Sequence, residues 1–373
     1  MRALKATIRL VKEVNDLEAT WRALEERAER SFFLSWDWAA TAIETGGEDL
    51  LVAEIASPDG VVAIGLLAPM TETRHGVMRV RQLRLNETGL DSKRAIPVEF
   101  NTLLALPGME SAAWDALLYA LRERNAPRWD ELIVTNGVSA LEDMLREKGA
   151  SIHRRSEYGS GYVNLDQLRA SGVGDLKGYL ASLGKSTRSQ INRSIKLYGG
   201  REALSVDYAR DAHEAFEYLN EIAMLHETKW RARGKAGLAA AAHLLEFHHK
   251  LIERTIPYGK VELARVSANG TPFAWVYNFI DRGHVLFNIG GFRAEKDKRL
   301  KPGLVAHALL IEAHLKAGRA TYDFLAGNDR YKLNLGTRGP DFTGFAIQRP
   351  KAALKIEGAL RSVKHILAGR KRS

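Results

Sequence analysis

The 373-residue chain has no cysteine. Disulfides, thiolate nucleophiles and thiolate-bound zinc or iron–sulfur clusters are therefore excluded. Long apolar runs are also missing: the longest, Val61 to Met70, is far short of the roughly 20 residues needed to span a bilayer. In the opening stretch MRALKATIRLVKEVNDLEATW charges interrupt every apolar segment, so it holds no signal-peptide core, and a cytosolic protein is expected. A broad charge excess is lacking too. Of the net +10, the segment Arg349 to Ser373 carries +7, with eight Lys/Arg against Glu357, and the rest is nearly neutral. That distribution argues against a broad nucleic-acid-binding face and for a local basic appendage.

What is present is enough apolar material, 45% of residues, for two packed domains of about 150–200 residues each. In the second half, SVDYAR (205–210) alternates as a strand does. Asp211 with Glu214 then forms a capping box for a helix reaching about Arg231. Gly234 and Gly237 interrupt it, and a second helix is expected from Leu238 to Thr255, stopped by Pro257 and Gly259. VELARVSA, FAWVYNFI and HVLFNIGGF follow as strands of an antiparallel meander, turned at Asn269-Gly270 and Asp281-Arg282-Gly283. Pro302 opens a helix with Leu304, Ala308, Ile311 and Leu315 on one face, Gly318 closes it, and TYDFL and a segment near Phe345 complete the strands.

The first half repeats this order: TIRLVKEV, helices at 16–29 and 36–45, LLVAEIAS and VVAIGLLAPM around Pro58-Asp59-Gly60, VMRVRQLRL, a helix at 112–124, ELIVTN, a helix at 139–148, and a strand ending at Leu165. Two α/β domains with mixed sheets are expected, at 1–165 and 205–348, joined by a basic connection at 166–204 and followed by a tail at 349–373.

The segment from Phe292 to Thr337 combines Pro-Gly at a helix start, Tyr-Asp-Phe-Leu-x-Gly and Tyr-Lys. With LSWDW near residue 36, GKSTRSQINR at 184–193 and LHETKWRARG at 225–234, the chain resembles the CelD-type (cellulose-biosynthesis-like) acetyltransferases, relatives of the FemAB peptidoglycan aminoacyltransferases. The resemblance implies two tandem Gcn5-related N-acetyltransferase (GNAT) domains, the first degenerate and the second holding the acyl-CoA site. Acyl-CoA would be a co-substrate, with no permanently bound cofactor.

In that fold the fourth strand leads into a helix whose first N–H groups bind the CoA pyrophosphate. The positions here are Arg299, Leu300, Lys301, Gly303 and Leu304, with one glycine where such loops usually carry more. HVLFNIGGF would flank the pantetheine arm, and an N–H near Ile289 or Gly290 would polarise the thioester carbonyl; Gly290-Gly291 reads equally as a bulge.

Attack by an amine needs a base, and His226 is the first candidate, sharing a helix face with Leu219, Ile222 and Trp230. A packed core histidine is an equal alternative. His226-Glu227 does not extend to His-Glu-x-x-His, because position 230 is tryptophan, so no zinc site is expected. Asp323, alone in an apolar strand, is a second base or amine-orienting candidate, or else a structural partner of Lys332 or Arg330. Tyr331 is the candidate acid for the thiolate. Lys185 and Arg188 are candidates for anionic groups, and Lys332, Glu99 and Asn101 for the acceptor.

In the tail, Leu354, Ile356, Leu360, Val363, Ile366 and Leu367 fall on one side of a basic helix. Such a helix suits peripheral contact with an anionic membrane or packing on the domain. The membrane reading points to a lipid amine, and some bacterial members of the wider group are ceramide synthases, so a long-chain sphingoid base is the leading acceptor. An acetyltransferase of envelope polysaccharide synthesis, a FemAB-like transferase using charged tRNA and a non-catalytic binding protein are the alternatives.

Overall fold

The structure, a computed structural model, describes residues 4–88, 96–231, 242–351, 354 and 357, and for 228–231 the backbone alone. In chain order the strands are β1 Lys5–Leu10, β2 Leu51–Ser57, β3 Gly60–Arg74, β4 Met78–Leu85, β5 Leu104–Ala105, β6 Glu131–Val138, β7 Ile152–Tyr158, β8 Ser160–Asn164, β9 Leu204–Tyr208, β10 Val261–Ala268, β11 Thr271–Asp281, β12 His284–Phe292, β13 Thr321–Ala326, β14 Thr337–Arg338 and β15 Phe342–Gln348. The α-helices are α1 Leu17–Arg27, α2 Trp36–Thr45, α3 Glu110–Ala120, α4 Ser139–Glu147, α5 Leu165–Ala170, α6 Leu176–Ser182, α7 Lys185–Leu197, α8 Ala212–Arg231, α9 Ala242–Thr255, α10 Pro302–Lys316 and α11 Arg330–Leu335.

Two mixed sheets organise two compact units, so the expected α/β class and tandem arrangement are what the chain adopts. The first unit comprises Met1–Arg30, Gly46–Glu157 and Thr343–Ser373, the second Ser31–Thr45 and Tyr158–Phe342. In the first, the strand order is β1-β2-β3-β4-β6-β15-β7, with β5 on β3. Its core gathers Ile55, Leu67, Leu83, Trp114, Leu117, Leu132 and Phe345. In the second, the order is β14-β8-β13-β12-β11-β10-β9, and Val266, Val276, Phe287, Leu309, Ile311 and Phe324 fill the core against α10.

The division departs from the sequence boundaries in three ways, each with a packing reason. The strand near Phe345 does not complete the second sheet. It enters the first, between β6 and β7, and the second sheet takes β8 from before residue 165. From Phe342 to Ala346, β15 is buried throughout, the pattern of an interior strand; periodicity gives a strand's existence, not its sheet. The segment 166–204 is not a linker: Leu176, Tyr179, Leu180, Ile191 and Ile195 belong to the second core, and Tyr179 Oη donates to Leu335 O at 2.7 Å. The helix at 36–45 is part of the second unit, introduced by Phe32 stacked on Phe279 at 4.6 Å.

Both hairpins of the meander form where Asn-Gly and Arg-Gly pairs turn left-handed, with φ 48° and 75° at Asn269 and Gly270, and 47° and 86° at Arg282 and Gly283. Most of the basic tail lies outside the described residues, as do Gly234, Gly237 and the start of the helix expected from Leu238. Among the described residues no helix is long and apolar enough to cross a membrane.

Candidate active site

The chemistry-bearing residues of the second unit gather around one irregularity in its sheet. β12 and β13 run parallel and pair at His284–Thr321, Val285–Tyr322 and Leu286–Asp323 only. Beyond that point β12 continues on β11 as far as Phe292–Ala274, and β13 continues on β8 to Ala326–Ser160. The strands therefore form a fork, in which the β12 edge past Leu286 offers main-chain donors and acceptors to an extended ligand. Register slips in β12 between Phe287 and Ile289, so the bulge sits at Asn288 rather than at the glycine pair.

The glycines have a packing cause. A Cβ on Gly291 would lie 2.9 Å from Ile222 Cα and 3.0 Å from Leu225 Cδ1, so α8 rests directly on β12 there. On Gly290 it would meet the Phe292 ring at 2.7 Å. Ile289 and Gly290 stay half-buried. His226 follows Leu225 on α8, also half-buried, as is Glu227.

α10 starts at the mouth of the fork. Lys301 is its N-cap without a side-chain cap, and Pro302 takes the first turn. The Lys301 N–H donates to Ser194 Oγ of α7 at 2.9 Å. At Gly303 a Cβ would be 3.7 Å from the nearest Phe292 ring carbons, ordinary contact, so the chain itself does not require glycine there. Arg299 is engaged locally: Nε and Nη2 donate to Asp297 at 2.7–3.0 Å. That pair holds the Asp297 carboxyl down at about 2, with Arg193 of α7 adding to the effect. Arg193, toward the end of α7 that meets α10, thus supplies positive charge to this loop; the sequence grouped it with Lys185 and Arg188 as a basic residue for CoA phosphate or an anionic acceptor.

Asp323 occupies the last position at which β13 pairs with β12. Burial pushes its carboxyl up to about 6, opposed by the Leu325 N–H, which donates to Oδ1 at 2.7 Å, and by the Lys332 charge. Tyr331, on α11, stacks on His307 and meets Phe324 edge-on at 5.7 Å; burial raises its phenol above the tyrosine range. His307 was not singled out from sequence, although its position among Leu304, Ala308 and Ile311 was a usable signal. Its ring is buried between Phe287 of β12, at 4.6 Å, and Phe324 of β13, at 5.2 Å.

Lys332, read from sequence as acceptor-binding, is 4% exposed. Its ammonium points into the protein, donating to Leu325 O at 3.0 Å and Ala326 O at 2.7 Å. Lys185 and Arg188 stand at the opposite end of α7 from Ser194, roughly 9–13 Å along the helix at 1.5 Å per residue. Arg188 donates to Ala181 O at 3.1 Å and lines a cleft of ≈ 440 Å³ with Lys177, Asn192, Arg201 and Glu312.

The first unit has the corresponding parallel pair, β4 and β6, joined at Gln82–Glu131, Leu83–Leu132 and Arg84–Ile133. Its open end is filled from within. Asn86 exchanges bonds with Leu66, Oδ1 accepting at 3.0 Å and N–H donating at 2.8 Å. Asn101, fully buried, donates to Leu85 O and Thr135 Oγ1 and accepts from Asn86 at 3.0 Å. Its amide is thus bonded inside the unit rather than turned to an acceptor. Glu99 lies two residues before it, half-buried.

Residues 185–333, from the start of α7 to just past Lys332, match the family described as "Acetyltransferase (GNAT) domain". The matched segment contains β12, β13 and α10, so the likeness covers the fork and leaves the first unit outside it. Three solved structures share the overall fold. One is a crystal structure of FemX, 12% identical over 94% of this chain and 99% of that one, with TM-score 0.57. Another is L-PGS from Bacillus licheniformis, 10% identical over 90% and 93%, with TM-score 0.52. A third is a conserved protein of unknown function from Bacteroides thetaiotaomicron, 11% identical over 89% and 97%, with TM-score 0.52. At such identities the likeness is one of fold. No protein of curated function matches the chain in sequence.

Proposed function

We propose that the second unit transfers an acyl group from a CoA thioester to an amine, and that the first unit, its fork filled, does not bind CoA. The observation that carries this reading is the β12–β13 fork with the uncapped start of α10 at its mouth. Pantetheine amides would pair with the β12 edge. The pyrophosphate would meet the N–H groups of Gly303 and Leu304, with Lys301 and Arg193 adding charge. His226 takes the proton of the incoming amine, the nitrogen attacks the carbonyl carbon, and an N–H at Ile289 or Gly290 receives the oxyanion. The C–S bond then breaks, and Tyr331, protonated throughout the working range, faces the departing thiolate as its hydrogen-bond donor.

The acceptor reading is finer and rests on the sequence of the tail: an amphipathic basic helix suits an amine presented at an anionic membrane, and a long-chain sphingoid base has that chemistry. Titration calorimetry with acetyl-CoA and palmitoyl-CoA tests the donor, and binding of neither removes the proposal. Incubation with sphinganine and palmitoyl-CoA, read by mass spectrometry, tests the acceptor, where absence of an N-acyl product retires the lipid reading alone. His226→Ala is expected to abolish turnover and keep CoA binding; unchanged turnover takes His226 out of the chemistry.

A further inference from the structure

Leu325 is a buried, non-glycine residue at φ 58° within β13. A left-handed leucine is strained, because its Cβ crowds the following carbonyl oxygen, and a strand offers it no reason to leave the ladder. Three side-chain bonds hold the departure. Asp323 Oδ1 accepts the Leu325 N–H at 2.7 Å. Lys332 Nζ donates to the Leu325 and Ala326 carbonyls at 3.0 and 2.7 Å. Main-chain groups that a continued ladder would satisfy from a neighbouring strand are satisfied instead by a carboxylate of the same strand and an ammonium of α11. The position is also where pairing with β12 stops and where register with β8 shifts, between Asp323 and Ala326. Room for this ammonium is part of the design, since a Cβ on Gly327 would lie 2.7 Å from Nζ.

We infer that Lys332 is a positioning residue that keeps the acyl-CoA fork open: by holding Leu325 in its left-handed conformation, it bends β13 away from β12 and leaves the β12 edge unpaired for the ligand. The inference rests on the acyl-CoA reading of the fork, and it differs from a role in which Lys332 touches substrate. Because Lys332 follows Tyr331 on α11, the same bonds fix how the phenol is presented beside the fork.

The test uses the full chain and Lys332→Met, which keeps the length and apolar character of the side chain and removes the ammonium. Hydrogen exchange of the peptide covering 287–292 reads the fork directly. With the wedge gone, β13 relaxes toward β12, and exchange in that peptide is expected to slow at least tenfold while palmitoyl-CoA binds at least tenfold more weakly. A destabilised but open fork would exchange faster, so unchanged or accelerated exchange overturns the inference, as does loss of protection throughout the chain. A second variant separates wedge from contact. Leu325→Asn, a residue that tolerates the left-handed region, is expected to restore most of the CoA affinity when combined with Lys332→Met; failure to restore it assigns the lysine to substrate instead and overturns the positioning role. If the unaltered protein binds no acyl-CoA, the donor reading fails, and the exchange measurement still decides whether Lys332 holds the strands apart.

Discussion

The imidazole of His307 lies parallel to the ring of Tyr331, with centroids 5.6 Å apart and 10° between planes. Its Nδ1 is 3.0 Å from Tyr322 Oη. Burial brings the imidazole down to about 3, with Lys332 contributing, and raises the Tyr322 phenol well above its usual value. Both groups are therefore neutral at working pH. The phenol and Nδ1 share one hydrogen bond, whose direction follows the imidazole tautomer.

This neutral stack sets the first expectation. Tyr331→Phe preserves the ring contacts with His307 and Phe324 and deletes only the hydroxyl. Turnover should fall by about 100-fold or more, the scale of one acid–base group, with acyl-CoA affinity and melting temperature nearly unchanged. Steady-state rates with calorimetry on the same preparation check it. A parallel loss of CoA binding would move Tyr331 from leaving-group stabilisation to ligand binding.

Asp323 gives a pH signature whose sign follows from its surroundings. Its carboxyl is raised from 3.8 to about 6 in the folded chain, so the favourable protonated form is fully present below about 4. The stability it contributes is lost as pH rises through 6. Asp323→Asn keeps the acceptor for the Leu325 N–H and cannot ionise. It should be more stable than the parent at pH 8, by up to about 3 kcal/mol from a shift of roughly two pKa units, and equal to it at pH 4. Urea unfolding across that range measures the difference; one that grew on acidification would contradict the burial argument.

Much of the second unit was readable because local signals agreed with one another. The Asp211 half of the capping box is formed, Oδ1 accepting the Glu214 N–H at 2.9 Å, while the Glu214 carboxylate accepts the Arg210 N–H at 3.1 Å; both glycine turns fall where expected. Strand partnership was not readable: Phe345 sits in an apolar run that suits the interior of either sheet, and only three-dimensional packing assigns it to the first. Side-chain direction was equally hidden. Lys332 follows Tyr331 at the start of a short helix, and nothing in its neighbours says that the ammonium turns inward to Leu325 and Ala326. Asn101 was correctly placed among apolar residues, but a fully bonded buried amide and one awaiting a ligand have the same sequence.

The glycines around the fork separate packing from binding. A methyl group on Gly291 would lie 2.9 Å from the α8 backbone at Ile222, whereas one on Gly303 would touch only ring carbons of Phe292 at 3.7 Å. Gly291→Ala should therefore destabilise by about 1–3 kcal/mol, the range for overpacking where the neighbour is main chain. Gly303→Ala should be neutral or stabilising by up to about 1 kcal/mol, since alanine is the better helix residue. If the α10 start receives the pyrophosphate, the two effects on binding reverse that order. The Gly303 methyl stands between the N–H groups and the ligand, and acyl-CoA affinity should drop at least tenfold in a protein that melts no lower than the parent. Thermal melts paired with acyl-CoA titrations of the two variants provide the check. Normal affinity in Gly303→Ala would locate the phosphates away from α10, where the charge of Lys301 and Arg193 would need another explanation.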